Sequence, residues 1–440
     1  MRAQTLVAFL KIRLFSGARR LGARAALRRS APLLCGALVC GGLAACSTPT
    51  GFLEPVPAAP PGATQVEMVV ATTRMQASSR AVMFGGARGP QPAFADIVVS
   101  IPPAENRKIG DVQWPKQLPG DPARDFVTLK ADIVTKDQAI AAFSRILHKS
   151  NKKEALIFVH GFNQRFDDAV FRLAQIVNDS GANGVVAPVL FTWPSKGSIF
   201  AYGYDRESAN YSRDSLEALI RFIAKDKQVE RISILAHSMG NWVTLEALRQ
   251  MAIRDGRVSP KVKLVMLAAP DVDVDIAREQ LAAMGPDHPH IVIMVSEDDR
   301  ALAASREVWG APRLGAVNLD AEPYHSIFGA EKNLSVINLT RFPSHDEFNH
   351  GKFAQDPRVV EMIGTSLASG QTLTDSRVGI GERIMQTTAS AASSVGHAAG
   401  VVVSAPVAVI DPETREHFGD QVDQLTQSVT SIGPRSREAE

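Results

Sequence analysis

The residues of this sequence best suited to chemistry are a serine, acids and histidines spread along its second half. Ser238 stands in Ala236-His237-Ser238-Met239-Gly240, directly after the apolar run Ile232-Ser233-Ile234-Leu235 and before an apolar helical stretch with Trp242, Val243, Leu245 and Leu248. A buried strand that ends in small-x-Ser-x-Gly and turns at once into a helix forces the serine into a strained, exposed turn, with small flanking residues that let strand and helix pack. The first position is Ala where that pattern has Gly. Asp298 and Asp299 follow a second apolar strand candidate, Ile291–Val295. His345 and His350 follow a third, Val336–Leu339. A serine hydroxyl is a poor nucleophile at neutral pH. It needs an imidazole to take its proton and a carboxylate to fix the imidazole's tautomer. Each of these groups falls at a strand end, where an open α/β sheet places its functional site.

The oxyanion of an acyl-transfer intermediate needs backbone donors. One is expected at the residue after the nucleophile, Met239. The other is expected in the loop after an early strand, where His160-Gly161-Phe162 closes Ala155–His160 and offers Phe162 N–H. Asp299 is the preferred acid and His350 the preferred base, since His350 immediately precedes the closing helix. Asp298, Asp271 and His345 remain alternatives. His325 reads as a loop histidine and His237 as structural. His160 and Trp193, both at strand ends, are candidates for lining a pocket. Asp271, Asp273 and Asp275 lack the Gly and terminal Glu of a calcium loop, so solvated acids or helix caps are expected there and no metal site.

These residues need a sheet to hold them. Val66–Thr73, Ile97–Ile101 and Phe126–Ile133 read as three short strands, with Ser78–Pro92 as loop between the first two. From Ala155 onward five strands alternate with amphipathic helices: Ala169–Ser180, Tyr211–Asp226, the helix after Ser238, Val274–Ala283, Ala301–Trp309 and Pro357–Leu367. Apolar strands alternating with helices predict an α/β architecture. Its sheet is mainly parallel and doubly wound, with antiparallel edge strands contributed by the N-terminal part.

At 440 residues, with 45% hydrophobic and 21% charged residues, the chain is ordinary for a globular protein. Its first 29 residues carry eight basic side chains, and no acid precedes Glu54. An apolar stretch from Ala31 to Ala45 follows, shorter than a membrane-spanning helix requires. Basic, then apolar, then small residues predict a secretory signal over 1–45. Removing it lowers the formal charge from +2 to −6, so a nucleic-acid partner is not expected. The three cysteines are Cys35, Cys40 and Cys46, so neither a disulfide nor a thiolate site is expected in the remainder. Residues 46–64 read as a flexible tether, 65–369 as the folded domain, and 370–440 as a low-complexity helical or disordered extension.

Two resemblances sharpen these expectations. Leu43-Ala44-Ala45-Cys46 resembles the bacterial lipoprotein processing box, which implies lipid attachment to Cys46 and an anchor in the cell envelope. Ser47 in place of aspartate favours the outer membrane, facing the periplasm. Phe158-Val159-His160-Gly161-Phe162-Asn163, Phe191-Thr192-Trp193-Pro194-Ser195, the Ser238 motif, Leu267-Ala268-Ala269-Pro270-Asp271 and Asp299-Arg300-Ala301-Leu302 resemble one group. Thr72-Thr73-Arg74 and Ser100-Ile101-Pro102-Pro103 extend the likeness toward the N-terminus. The group is the α/β-hydrolase family of unknown function often labelled "esterase/lipase superfamily enzyme". The resemblance covers roughly Val66 to Leu367. It implies an α/β-hydrolase fold and serine esterase chemistry without a cofactor, on a small-molecule or lipid ester. It aligns the acid with Asp299 and the base with His350, in Asn349-His350-Gly351-Lys352-Phe353. The alternative is an envelope lipoprotein that uses a hydrolase fold only for binding.

Overall fold

The structure, a computed structural model, describes residues 50–369 except 325, 327 and 329–332. The expected signal, Cys46, His325 and the 370–440 extension therefore lie outside the described residues. Nine strands form one sheet, in the order β3-β2-β1-β5-β4-β6-β7-β8-β9. They are β1 (Thr64–Gln76), β2 (Phe84–Ile101), β3 (Val127–Val134), β4 (Glu154–Val159), β5 (Ala187–Thr192), β6 (Arg231–His237), β7 (Val262–Ala268), β8 (His290–Val295) and β9 (Leu334–Asn338). β1, β2 and β3 pair antiparallel. β1 runs parallel to β5, and every pair from β5 to β9 is parallel. This is the α/β-hydrolase fold: a mixed sheet, mostly parallel, with its antiparallel strands at one end.

Among the described residues the helices include α1 (Lys136–Lys149), α2 (Phe166–Asp179), α3 (Tyr202–Lys225), α4 (Gly240–Asp255), α5 (Val274–Met284), α6 (Arg300–Trp309), α7 (Lys352–Gln355) and α8 (Pro357–Ser369). β4 and β5 are buried at every residue, as strands covered on both faces must be. The strand period of two divides them between two cores. Ile157, Val159, Phe191, Ile234 and Ala236 pack with residues of α1, α3, α4 and α5, whereas Leu156, Phe158, Leu190 and Leu235 pack with α2 and α8.

Three expectations need correction. Six strands, not five, run from Glu154 onward among the described residues, with β9, the expected Val336–Leu339 strand, at the sheet edge. The segment 84–92 is strand, not loop: β2 is 18 residues long. Its glycines serve close approach rather than turns. A Cβ on Gly86 would lie 2.9 Å from Ser195 O and from Lys196 Cα, and one on Gly89 would lie 2.8 Å from Arg74 O. Residues 51–56 are not tether. Phe52, Leu53 and Val56 are buried, and Leu53 and Val56 hydrogen-bond through their backbones to Ala81 and Thr128. Three apolar side chains in six residues outweigh the prolines around them.

Among the described residues no helix is long and apolar enough to cross a membrane.

Candidate active site

The carboxyl ends of β4, β6, β8 and β9 lead into the loops that carry Phe162, Ser238, Asp299 and His350. β6 leads into Ser238, whose φ is +52°. That left-handed conformation is uncommon for a residue with a Cβ, and neighbouring segments hold it. Ser238 N donates to Ala268 O at 3.0 Å, and Asp271 N donates to Ser238 O at 3.2 Å. Asn241 Nδ2 donates to the same Ser238 oxygen at 2.9 Å. Two glycines make room. A Cβ on Gly240 would come within 2.4 Å of His160 O, and one on Gly161 within 2.8 Å of Ser238 Cβ. Strand, elbow and oxyanion loop are thus packed at backbone contact.

β8 leads into Asp299, which is buried and has two roles. Oδ1 accepts from Leu302 N at 2.9 Å and caps α6. Oδ2 accepts from His350 Nδ1 at 2.6 Å. A carboxylate only accepts, so Nδ1 carries the proton and Nε2 remains the basic nitrogen. Burial works against the imidazolium of His350, but the charge and hydrogen bond of Asp299 outweigh it and raise its pKa above the ordinary value. His350 lies against His237, with ring centroids 4.7 Å apart, and His237 adjoins Ser238. Among the described residues the Ser238 hydroxyl makes no hydrogen bond, so the serine–imidazole contact is the one link not closed. Such contacts often tighten only when substrate binds. A base of this kind works only when neutral. Turnover is therefore expected to fall with decreasing pH, with a midpoint in kcat/KM above about 6.5. A rate–pH profile whose acid limb lies below that value would contradict the Asp299–His350 coupling.

The loop that carries His350 is itself pinned. Asp346 accepts from His350 N, Gly351 N and Phe348 N. Although burial alone would raise its pKa, these bonds lower it overall. Lys352 is buried and donates to Asp298 Oδ1 at 2.7 Å, Ser296 Oγ, Leu339 O and Thr340 O. His237, held neutral by burial and by the neighbouring His350, stacks on Phe353 at 4.6 Å. Its Nε2 donates to His350 O at 3.3 Å.

The alternatives are otherwise engaged. Asp298 pairs with Lys352 and with Asn349 Nδ2. Asp271 is buried and accepts from Tyr202 OH at 2.5 Å and Ser305 Oγ at 2.6 Å. It is therefore neither a solvated acid nor a histidine partner. Asp273 caps α5. His345 is exposed on Asp111.

His160 and Trp193 do not line a pocket. Both are buried and stack on each other at 4.8 Å. Burial and the neighbouring Arg74 lower His160's pKa to about 3. Trp193 N donates to His160 Nε2, and His160 Nδ1 lies 2.8 Å from Gly161 O. The pair props up the loop that carries Phe162. A cavity of about 790 Å3 lies elsewhere, between α1 and α3 over β1 and β5, with Phe143, Phe191 and Phe222 in its lining. None of Ser238, Asp299 and His350 lines it.

Sequence reasoning missed the support under that loop. Arg74 of β1 is buried. Its Nε donates to Thr192 Oγ1 at 2.7 Å, its Nη1 to Ser195 O at 2.9 Å and its Nη2 to Gln164 O at 2.8 Å. Burial lowers its pKa to about 10, opposed by the charge of Asp205. Asp205 in turn accepts from Ser195 Oγ at 2.5 Å and Lys196 N. The only signal was a charged residue closing an apolar strand in Thr72-Thr73-Arg74. Replacing Arg74 by Met leaves several buried acceptors unpaired. It is expected to cost about 3–5 kcal/mol, as loss of a buried, fully bonded charged group does. Thermal unfolding checks this, and a loss below about 1 kcal/mol would show that water replaces the guanidinium.

A strained serine at a strand-to-helix elbow and a histidine fixed by an aspartate, both at the carboxyl ends of such a sheet, are the features of an α/β-hydrolase. The chain belongs to the alpha/beta hydrolase family of unknown function (DUF900), whose model matches residues 135–366. It is 25% identical to an uncharacterized protein of Nostoc sp. over 29% of this chain and 39% of that one. It thus spans about two fifths of the length of that curated relative. Among solved structures it is similar to lipase B of Aspergillus fumigatus, with a TM-score of 0.36 and 13% identity over 57% of this chain and 61% of that chain. It is also similar to a putative cell surface hydrolase of Lactobacillus plantarum, with a TM-score of 0.31 and 12% identity over 50% and 92%. A third is a fungal esterase of Rhizomucor miehei, with a TM-score of 0.32 and 11% identity over 78% and 92%.

Proposed function

We propose that this chain is a serine hydrolase that cleaves carboxylic esters through an acyl-serine intermediate. The observation that carries the reading is the 2.6 Å bond from His350 Nδ1 to the buried Asp299, with the His350 ring against His237, the residue before the strained Ser238. Ser238 Oγ attacks the acyl carbonyl while His350 Nε2 takes its proton. The amides of Met239 and Phe162 receive the oxyanion. His350 then protonates the departing alkoxide. Water attacks the acyl-serine with His350 again as base, releasing the acid and restoring Ser238. Charge stabilisation by one such amide contributes about 10²–10³ in turnover.

The basic and apolar N-terminus with Cys46 supports a further part of the proposal. Residues 1–45 act as a lipoprotein signal, and the mature protein is anchored through lipid on Cys46 in the bacterial envelope, at the outer membrane facing the periplasm. More than one acyl chain on that thiol would be needed for a stable anchor.

The test is labelling of the purified full chain with a fluorophosphonate probe, beside Ser238→Ala and His350→Ala. Labelling of the wild type that vanishes in both variants is the expected result. Labelling that survives in His350→Ala would transfer the role of base elsewhere. A folded wild type that does not label would favour the binding-protein reading.

A further inference from the structure

Arg206 is a charged group that neither the sheet nor the Ser238 site uses. It stands on α3 one helical turn after Tyr202, with its guanidinium carbon 4.2 Å from the centroid of the Trp242 ring and 5.4 Å from that of Trp309. Its Nη1 is buried and has no hydrogen-bond partner among the described residues. The buried carboxylate beside Tyr202, Asp271, is already matched by Tyr202 OH, by Ser305 Oγ and by Arg313 Nε at 3.6 Å. A buried cationic donor without an acceptor is costly unless something else supplies the acceptor. Contact of the guanidinium with two indole rings is favourable for the cation but supplies no hydrogen-bond acceptor.

The surroundings tie this group to the candidate site. Trp242 is four residues after Ser238 on α4. Asp271 N donates to Ser238 O. The ring of Phe162, whose amide is assigned to the oxyanion, lies 5.1 Å from that of Tyr202, and the Tyr202 ring lies 5.9 Å from Trp309. Exposed apolar side chains flank Tyr202 and Trp309 in sequence: Ile199 is 64% exposed, Phe200 93% and Val308 70%, and Trp309 itself is 46% exposed. Arg206 thus stands between the Ser238 elbow and exposed apolar side chains, with its Nη1 unpaired among the described residues.

We infer that Arg206 binds an anionic group of the substrate, a carboxylate or phosphate, so that the preferred substrate is an acidic ester whose apolar part lies on the Phe200–Trp309 rim. A planar guanidinium fits either anion through two parallel hydrogen bonds. The inference rests on the serine-hydrolase reading for its chemistry, but not for its binding.

The experiment compares kcat/KM of the full chain for p-nitrophenyl butyrate and for the mono-p-nitrophenyl ester of glutaric acid, in wild type, Arg206→Met and Arg206→Lys. Methionine keeps the packing on the indoles and removes the charge. The wild type is expected to prefer the acidic ester. The ratio of acidic to neutral ester should fall 10- to 100-fold in Arg206→Met and less in Arg206→Lys. An unchanged ratio, or equal loss on both esters, would leave Arg206 as packing alone and overturn the inference. In parallel, titration calorimetry with glutarate and with glycerol phosphate on Ser238→Ala, with and without Arg206→Met, distinguishes the two anions. If neither ester is hydrolysed and no probe labels the wild type, the hydrolase reading fails. Binding of either anion that is lost in Arg206→Met would still support the anion site, and no binding of either would refute it.

Discussion

Ser238→Ala and Ser238→Gly are both expected to lose about 10⁶ in ester turnover, the scale seen when the nucleophile of a serine triad is removed. The two variants should nonetheless differ in stability, with glycine the more stable by about 1 kcal/mol. This reverses the order found in helices, where alanine is favoured over glycine. The cause is local. At φ +52° any Cβ is strained, whereas glycine enters this region freely. Both variants lack Oγ, so their difference isolates the backbone strain that the elbow stores. The hydrogen bonds that hold the elbow, from Asn241 Nδ2 and Asp271 N onto Ser238 O, use the main chain and survive both changes. Thermal unfolding of the two proteins measures the effect, roughly 2 °C for a domain of this size. A glycine variant no more stable than the alanine variant would show that the strain is relaxed elsewhere. Retained hydrolysis in either would remove Ser238 from the mechanism.

The elbow was legible because it is a local pattern: an apolar strand, small residues and a helix in one stretch of sequence. The strand ends bearing Asp299 and His350 were legible for the same reason, and chain order linked them. What escaped was support that depends on contacts between distant segments. Arg74 reads as one charge at the end of a strand, yet it hydrogen-bonds Thr192, Ser195 and Gln164, which lie 118, 121 and 90 residues away. Lys352 is equally silent in sequence, although its buried ammonium ties the β8 and β9 ends to the His350 loop. The glycines of β2 were misleading because Gly marks both turns and close approach, and only the partner backbone tells which. Tyr202 and Arg206 were missed because apolar periodicity begins at Tyr211, whereas α3 begins nine residues earlier with mostly polar and aromatic residues that carry no apolar stripe.

Asp299→Asn is expected to lower kcat about 10⁴-fold with little change in folding, because the two oxygens of Asp299 do different work. One caps α6 through Leu302 N, and the other orients His350 Nδ1. Asparagine is as good a cap as aspartate, so its oxygen takes the Leu302 amide and its NH2 is left facing Nδ1. That amide donates, so it selects the imidazole tautomer with the proton on Nε2, where no proton can be taken from Ser238. Turning the amide over restores the tautomer only by setting NH2 against the Leu302 amide. The same frustrated tautomer accounts for the 10⁴-fold loss in the serine-protease triad when its aspartate becomes asparagine. Asp299→Ala removes both functions and should lose similar activity together with about 1 kcal/mol of stability from the cap. Without the carboxylate that raises its pKa, His350 should also titrate lower in both variants, moving any residual acid limb to lower pH. Steady-state kinetics across pH, with unfolding curves for both proteins, separates the roles. Activity in Asp299→Asn within tenfold of wild type would show that His350 needs no carboxylate here. With Asp298 held by Lys352 and Asp271 by Tyr202 and Ser305, neither neighbour is free to take its place.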